Sequence, residues 1–347
     1  MLFYLKNAWY LKFDVCIKKR GLVNLLPKHS SGCPYLILAP MEGLGDRFFR
    51  RSMATIGGFD ESCTEFIRVP INAHVASLAK QYQKEETYPI PQAAQIMGSD
   101  PELMGAMAQE VVKRGAHRVD LNCGCPSNTV TGRGAGSSLL KNPSHLYQVA
   151  KALVKAVKVP VTAKLRSGYE DTSLFKENLL AAQESGVQFI TLHPRTKVDG
   201  YGPPAKWELI AEAKALLKIP VVGNGDILTV ADALNMLAQT KCDALMIGRG
   251  SVINPWIFQE IRASFTQKPF VPTWESFLYF IDLFWRGLQE EAPLRTQINK
   301  LKQLMSFFFK GNSSLLEKRN AMLTFKSTDP AEFLAHTLPL LKEGWRL

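Results

Sequence analysis

Short runs of apolar, often β-branched residues alternate along the chain with longer segments in which apolar residues recur every three to four positions. From Tyr35 onward each short run ends in polar or glycine residues. This alternation predicts an α/β fold of parallel strands joined by helices. Eight such units over roughly 230 residues fit a closed (β/α)8 TIM barrel better than an open sheet. The predicted strands are Leu36–Ala39, Glu61–Phe66, Ala93–Ile96, Arg118–Asn122, Val161–Leu165, Phe189–Leu192, Val221–Gly223 and Ala244–Ile247.

The pattern changes after about Phe258, beyond which no further strand is predicted. Helical spacing fills the C-terminal part, and its helix breakers fall between the helices. We therefore expect an irregular N-terminal extension (1–34), a catalytic barrel (35–265) and a small helical domain (266–347). The predicted C-terminal helices are Glu275–Gln289, Leu294–Phe309, Ser314–Phe325 and Ala331–Leu341, with Pro293, Gly311 and Pro330 between them.

Composition adds that the chain can bury a large core and is basic. Its 347 residues are 46% hydrophobic and carry a formal net charge of +11. A basic body suits a polyanionic partner such as nucleic acid, although solvated lysines of a basic proteome explain the charge almost equally well. No apolar run approaches the roughly 20 residues that a membrane span needs. We expect a soluble, cytoplasmic and monomeric protein without membrane attachment.

The six cysteines are spaced too irregularly for a disulfide framework, and free thiols in a reducing compartment fit the chain better. Cys123 and Cys125 form a Cys-x-Cys pair, which in other proteins can bind a metal. The supporting ligands are poor, because His117 precedes the strand and Cys63 is distant. We therefore expect no metal site.

Every predicted strand is followed by a polar, hydrogen-bonding or glycine cluster. In a barrel of parallel strands, catalytic groups gather at the carboxyl ends of the strands, so these clusters are expected to converge on one rim. They are Pro40-Met41-Glu42-Gly43, Thr64-Glu65-Phe66, Gln95-Ile96-Met97-Gly98, Asn122-Cys123-Gly124-Cys125-Pro126, Lys164 with Arg166, His193-Pro194-Arg195-Thr196, Asn224-Gly225-Asp226 and Gly248-Arg249-Gly250.

The chemistry of this rim is typical of a site for a large, planar, phosphorylated cofactor. Gly225 and the segment Gly248–Gly250 follow the last two strands, where barrels commonly bind phosphate through backbone N–H groups, and Arg249 can add a charge-assisted hydrogen bond. The glycines also have a purely structural explanation, since tight turns favour glycine where φ is positive. The residues that can hydrogen-bond a heteroaromatic ring such as a flavin are Gln95, Lys164 and His193.

Cys125 is the candidate for proton chemistry. It lies past the fourth predicted strand, before Pro126, in a loop that continues through Gly132 to Gly136 and can order over a substrate. A thiol with a pKa of about 8.5 is mostly protonated at neutral pH, so it can act as a general acid. A nucleophilic role would require a neighbouring base or cation that lowers this pKa. Cys123, with apolar neighbours, fits a packed core position.

Six ordered segments closely resemble those of the tRNA-dihydrouridine synthases. The resemblance covers about residues 35–345, and Glu42, Thr64–Val69 and Cys123 most resemble the DusC-type bacterial subgroup. One departure is Pro194, where the family usually has a small residue; it is expected to alter the loop beside Arg195. The segments are Leu38–Gly43, Asp120–Pro126, Lys164–Gly168, His193–Thr196, Gly223–Asp226 and Ile247–Gly250.

The resemblance implies an FMN-dependent oxidoreductase that is reduced by NADPH. It implies that flavin N5 passes a hydride to C6 of a uracil in tRNA while Cys125 protonates C5. The target would be a D-loop uridine at position 16, and the helical domain would bind the tRNA. The implied flavin contacts are Pro40, Met41, Glu42, Gln95, Lys164, His193, Asn224, Gly225, Asp226, Gly248 and Arg249.

Three further residues are candidate substrate contacts. Asn122 and Arg195 match positions where the family meets the uracil and flavin edges. Lys302 is a candidate phosphate contact, although a solvated helix face explains it equally well. Two other functions stay open. One is a flavin-dependent reductase of free pyrimidines similar to dihydroorotate dehydrogenase, against which the helical tail argues. The other is a non-catalytic tRNA-binding protein, against which the intact Cys125 argues.

Overall fold

The structure is a computed structural model that describes residues 26–83, 90–127, 134–266, 268–311 and 313–344. Most of the expected N-terminal extension, and Gly132 in the loop after Cys125, lie outside the described residues. Residues 26–34 contain neither helix nor strand. The strands are β1 (Tyr35–Leu38), β2 (Glu61–Cys63), β3 (Ile67–Arg68), β4 (Gln92–Met97), β5 (Val119–Cys123), β6 (Val161–Gly168), β7 (Ile190–Thr196), β8 (Val221–Asn224) and β9 (Ala244–Ile247).

These strands form one parallel sheet that closes on itself. Each of β4 to β9 pairs with the next, β9 pairs with β1, β1 with β2, and β2 with β4. β2 and β3 both pair with β4, so they share one of the eight positions around the barrel. The predicted (β/α)8 barrel is therefore confirmed.

The second predicted strand, Glu61–Phe66, is wrong in its extent because the strand is interrupted after Cys63. The hydroxyl of Thr64 accepts the backbone N–H of Gln95 at 3.1 Å. In a continuous strand, a backbone carbonyl would accept this N–H group. Here the Thr64 side chain accepts it instead. Regular pairing resumes only at Ile67, opposite Ile96.

The barrel interior has an apolar half and a polar half. Ile37, Phe189, Val222 and Met246 pack together on the side of β1 and β7 to β9, and Leu26 joins this cluster from the N-terminal segment. The polar half lies on β2 and β4 to β6. Its buried or half-buried side chains are Glu61, Gln95, Asp120, Asn122, Thr162 and Lys164.

Helices surround the barrel, and several begin where the sequence supplies a cap. Asp100 accepts the N–H of Leu103 before a helix that starts with proline, and Asn142 does the same for His145. Such caps satisfy N–H groups that have no partner inside the helix. The helices are α1 (Arg47–Ile56), α2 (Val75–Leu78), α3 (Pro101–Lys113), α4 (Pro143–Ala156), α5 (Phe175–Ser185), α6 (Glu208–Leu216), α7 (Val230–Thr240), α8 (Arg249–Ile253) and α9 (Ile257–Thr266).

The C-terminal residues are helical, as predicted. Phe280 meets Phe49 of α1 edge-to-face with 6.3 Å between ring centroids. Arg47 of α1 pairs with Glu291 at 2.6 Å. The helical region therefore packs against the barrel beside the loop that follows β1. Among the described helices, none is long and apolar enough to cross a membrane. The C-terminal helices are α10 (Trp274–Glu291), α11 (Leu294–Gly311), α12 (Leu316–Thr324) and α13 (Pro330–Lys342).

Candidate active site

A cleft opens at the carboxyl ends of the barrel strands. Its lining combines residues that follow β1 with residues of β6 to β9 and the loops after them. Two predicted cofactor contacts, Glu42 and Gln95, are not part of this lining. The predicted contacts that line the cleft are Pro40, Met41, Lys164, His193, Asn224, Gly225, Asp226, Gly248 and Arg249.

Asp226 joins two arginines at one side of the cleft. Its carboxylate accepts hydrogen bonds from Arg195 at 3.0 and 2.6 Å and from Arg249 at 3.2 Å. Partial burial alone would raise the pKa of Asp226, but the bonds and charge of Arg195 hold it below its ordinary value. Arg195 is itself 3% exposed. The structure therefore places Arg195 behind the cleft, where it orients Asp226.

His193 is a neutral ring in this cationic environment. Burial, followed by the charges of Lys164 and three arginines, lowers the pKa of His193 to about 2. Arg195 Nη1 lies 3.2 Å from His193 Nε2. Since a guanidinium can only donate, Nε2 is the acceptor and the ring proton sits on Nδ1.

Lys164 lies on β6 and lines the same cleft. Burial, followed by the charge of Arg166, lowers its pKa to about 8. Within the described part of the chain, its ammonium has no hydrogen-bond partner. A half-buried cation without a partner is costly unless a ligand supplies an acceptor. Lys164 is therefore the residue that points most directly to an electron-rich ligand.

Gln95 and Asn122 form a pair of buried amides on β4 and β5. Gln95 Nε2 donates to Asp120 Oδ2 at 2.8 Å, and Gln95 Oε1 accepts from Asn122 Nδ2 at 2.8 Å. The backbone register places Gln95 beside Asp120 and Asn122 beside Lys164. Both amides thus lie under the barrel mouth, with Gln95 fully buried.

Cys125 is half-buried just past β5. Its N–H donates to Asn122 Oδ1 at 2.9 Å, and its carbonyl accepts the hydroxyl of Ser137 at 2.8 Å. Burial raises the pKa of the Cys125 thiol, so the neutral form dominates at physiological pH. Cys123 is fully buried in β5, in agreement with its predicted core position.

Glu42 lies at the exposed rim, in the loop between β1 and α1. Partial burial of its carboxyl group, followed by the charge of the nearby Glu65, raises the pKa of Glu42. This loop is tied to the helical region, because Lys300 Nζ bonds the Gly43 carbonyl and Asp46 Oδ2, both at 2.8 Å. The remaining predicted contact, Lys302, lies in the helical region itself.

Lys302 stabilises the end of a helix rather than lining the cleft. Its Nζ donates to the carbonyls of Leu323 and Phe325 at 3.2 and 2.7 Å, at the C-terminal end of α12. These bonds use two of the three N–H donors of an ammonium group. Its contact with phosphate stays a prediction.

Two residues of this region were not among the predicted contacts. Tyr201 lines the cleft, and the guanidinium of Arg249 lies 4.6 Å from its ring centroid. Arg166 donates to the Gly124 carbonyl at 2.9 Å and so ties the segment before Cys125 to β6. The i, i+2 spacing of Lys164 and Arg166 on a strand was a usable signal for Arg166. A single tyrosine in a loop carries no such signal.

Pro194 lies where β7 departs from regular pairing. Between the pairs Arg166–His193 and Gly168–Thr196, β7 has one residue more than β6. Proline lacks a backbone donor and is tolerated in a sheet mainly at such bulges. In the structure, the segment next to Arg195 is a β-bulge that contains Pro194 and Arg195.

A (β/α)8 barrel with polar side chains gathered around a cleft at the carboxyl ends of its strands defines an enzyme of the barrel class. A solved 2-naphthoyl-CoA reductase complex shares this fold, with a TM-score of 0.51 and 12% identity over 67% of this chain and 50% of that chain. At that identity the likeness concerns the fold alone.

Sequence comparisons define the family. The profile described as dihydrouridine synthase (Dus) matches residues 37–337. A tRNA-dihydrouridine(16) synthase of Neisseria meningitidis serogroup B is 35% identical over 304 residues, which cover 85% of this chain and 91% of the relative. One of Shewanella oneidensis is 38% identical over 256 residues, which cover 71% and 80%. The chain belongs to the dihydrouridine synthase family and is an oxidoreductase.

Proposed function

We propose that the protein is an FMN-dependent tRNA-dihydrouridine synthase that uses NADPH to reduce the uridine at position 16 of the tRNA D-loop. The names and coverage of the relatives support the substrate and the position. The observation on the molecule that carries the proposal is Cys125, a neutral thiol at the barrel mouth that the framework holds through Asn122.

The residues of the cleft fit a flavin mononucleotide. Lys164 brings an ammonium without a partner among the described residues, which suits the electron-rich pyrimidine edge of the ring. Gly225 keeps the wall open, since a Cβ there would lie 2.9 Å from the His193 ring. Gly248 and the guanidinium of Arg249 provide backbone N–H and charge for a phosphate. When bound, FMN supplies the hydride for C6 of the uracil, and NADPH restores its reduced form.

The cationic surroundings have a defined role in this reaction. Lys164 would stabilise negative charge on a bound flavin, because its ammonium lines the cleft and is largely shielded from water. His193 stays neutral and donates only through Nδ1–H. The Asp226 carboxylate holds Arg195 and Arg249 in place and offsets part of their charge.

Cys125 supplies the proton that the reduction needs in addition to the hydride. Saturation of the C5=C6 bond adds a hydride at C6 and a proton at C5. We assign the proton to the Cys125 thiol, whose raised pKa keeps it protonated. The thiolate that results is protonated again from solvent before the next turnover.

The target base must leave its stack before it can enter the cleft. Extrusion costs less in a loop of unpaired bases than in a helix, which fits a D-loop uridine. We propose that the helical region, residues 266–347, binds the tRNA next to the barrel mouth. Its α11 reaches the loop after β1 through Lys300, so bound tRNA would lie close to the rim of the cleft.

Mapping of dihydrouridine in cellular tRNA tests this function. Mass spectrometry of tRNA from cells without the gene is expected to show uridine at position 16 and unchanged dihydrouridine elsewhere. The gene for wild-type protein restores the modification, and a Cys125→Ala version does not. Normal dihydrouridine at all positions in the deletion strain would contradict the proposal. Activity of the purified protein on free uracil or orotate, with none on tRNA, would favour a pyrimidine reductase instead.

A further inference from the structure

A chain of hydrogen bonds crosses the polar half of the barrel interior and begins at a buried carboxylate. Asp120 is fully buried, and its Oδ1 accepts from Thr162 Oγ1 at 2.5 Å and from Arg118 Nη1 at 3.3 Å. Its Oδ2 accepts from Gln95 Nε2 at 2.8 Å. A carboxylate can only accept, so it determines which end of the Gln95 amide faces it.

Gln95 passes this orientation on to Asn122. With its nitrogen held by Asp120, Gln95 presents Oε1 to Asn122 Nδ2 at 2.8 Å. Asn122 Oδ1 is thereby turned outward and accepts the N–H groups of Gly124 at 3.0 Å and Cys125 at 2.9 Å. The orientations of the two amides together determine whether the backbone of Cys125 is held.

We propose that Asp120 is a positioning residue for the proton donor: it acts through Gln95 and Asn122 to hold the backbone of Cys125 in place past the end of β5. The inference rests on the proposed function, because it concerns delivery of the proton to uracil C5. Displacement of a reacting group by about 1 Å can cost on the order of 100-fold in rate, so this hold is expected to matter for turnover.

Asp120→Asn should reverse the whole chain. Arg118 has only donors, so the oxygen of the new amide must face it and the new NH2 group must face Gln95. Gln95 then turns over and presents its NH2 group to Asn122. When Asn122 turns in response, its NH2 group meets the N–H of Cys125. Two donors face each other there, and the loop loses its anchor.

Glu61 provides a matched control, because Glu61 and Asp120 both pair with Arg118 in one buried ion cluster. It is also buried and bound to Arg118, with Glu61 Oε1 2.8 Å from Arg118 Nε. No hydrogen bond joins Glu61 to Gln95 or Asn122 among the described residues. Glu61→Gln removes a charge from the same arginine without reversing the amide chain, so it reports the general cost of disturbing the cluster.

A second substitution should restore the chain. In the double variant D120N/Q95E, the carboxylate lies in the middle of the chain and accepts from both neighbours. Asn122 then keeps its original orientation and can hold Cys125 again. Q95M alone removes both the donor and the acceptor of the Gln95 amide, so it breaks the chain without touching Arg118 and serves as the test if D120N fails to fold.

Two measurements on these variants test the proposal. The first is the rate at which iodoacetamide alkylates Cys125 in the flavin-free protein, followed by peptide mass spectrometry. The second is single-turnover oxidation of the reduced, flavin-loaded protein by tRNA. We expect D120N to raise the alkylation rate severalfold and to slow oxidation by about 10- to 100-fold. E61Q should stay close to wild type in both, and D120N/Q95E should return both rates most of the way to the wild-type values.

Four results would overturn the proposal: D120N equal to wild type in both measurements, E61Q as impaired as D120N, a double variant no better than D120N, or Q95M equal to wild type in both measurements. Failure of tRNA to oxidise the wild-type flavin is a different result, because it would overturn the proposed function itself and this inference with it.

Discussion

The protonation state of Cys125 should set the pH dependence of the tRNA step. The active form is the protonated thiol, so the rate is constant below its pKa and falls as the pH rises through it. Because burial raises the pKa of Cys125, this fall should lie above the ordinary thiol value of about 8.5. The measurement is single-turnover oxidation of reduced flavin by tRNA from neutral to alkaline pH.

Flavin reduction by NADPH is the control for that profile. Burial lowers the pKa of Lys164 to about 8 in the flavin-free cleft, so Lys164 can affect both half-reactions, whereas Cys125 acts only in the tRNA step. A fall that appears in the tRNA step alone therefore belongs to the thiol. A tRNA step that accelerates as the thiol ionises would contradict the general-acid role and indicate a nucleophile.

Gly225 is the residue whose lack of a side chain shapes the cleft most directly. Its φ is +115°, and a Cβ would lie 2.9 Å from His193 Cδ2. Gly225→Ala should lower the free energy of unfolding by about 1–3 kcal/mol and weaken flavin binding, because His193 must move. Urea unfolding and flavin titration measure the two effects.

Gly200→Ala is the matched control for this substitution. Gly200 also has a positive φ, +58°, but nothing lies within 4 Å of its Cβ position. Gly200→Ala should therefore lower the free energy of unfolding by about 1 kcal/mol, the cost of the left-handed backbone conformation. Its flavin affinity should be unchanged. Equal losses of flavin affinity in the two variants would contradict the assigned role of Gly225.

At the scale of elements, Lys300 connects α11 to the loop that follows β1. Its hydrogen bond to Gly43 and its ion pair with the mostly buried Asp46 should contribute about 1–2 kcal/mol to folding. Lys300→Met is expected to lower the free energy of unfolding by that amount. Lys310→Met, an exposed site on the same helix, should change it by less than about 0.5 kcal/mol. Equal effects in urea unfolding would show that Lys300 does not stabilise this loop.

The order of elements was predictable from sequence because it depends on local periodicity. Each predicted strand overlaps a strand of the barrel, and the C-terminal helices were expected from their apolar spacing and breakers. The break after Cys63 and the bulge at Pro194 were not predictable in detail. Both depend on which group a neighbouring strand offers, such as the Thr64 hydroxyl that takes the Gln95 N–H.

Much of the cleft was also predictable, because a closed barrel brings its strand ends together. Lys164 on β6 and Gly248 after β9 are far apart in sequence and line one cleft. Two features were not predicted from the sequence: the hydrogen bonds of Arg195 to Asp226, and the chain of hydrogen bonds that begins at Asp120. These depend on the register between strands and on the direction in which each amide points, and neither leaves a mark in a single sequence.

At the scale of the whole molecule, the proposed tRNA contact of the helical region can be tested through salt dependence. If Lys302 neutralises one phosphate, Lys302→Ala should reduce the slope of log K against log salt by about 0.7–0.9. Lys218→Ala removes the same charge at the amino end of β8, opposite the cleft, and should leave the slope unchanged. An unchanged slope for Lys302→Ala, with lower stability, would assign Lys302 only to the end of α12.

The central claim joins the barrel, the flavin cleft and Cys125 in one reaction on tRNA. Its most direct test is incubation of the purified, flavin-loaded protein with NADPH and unmodified tRNA, followed by mass-spectrometric mapping of the product. We expect the wild type to convert the uridine at position 16 to dihydrouridine. Cys125→Ala should still oxidise NADPH at its flavin but form almost no dihydrouridine. Absence of dihydrouridine with the wild type, or equal product from Cys125→Ala, would contradict the account.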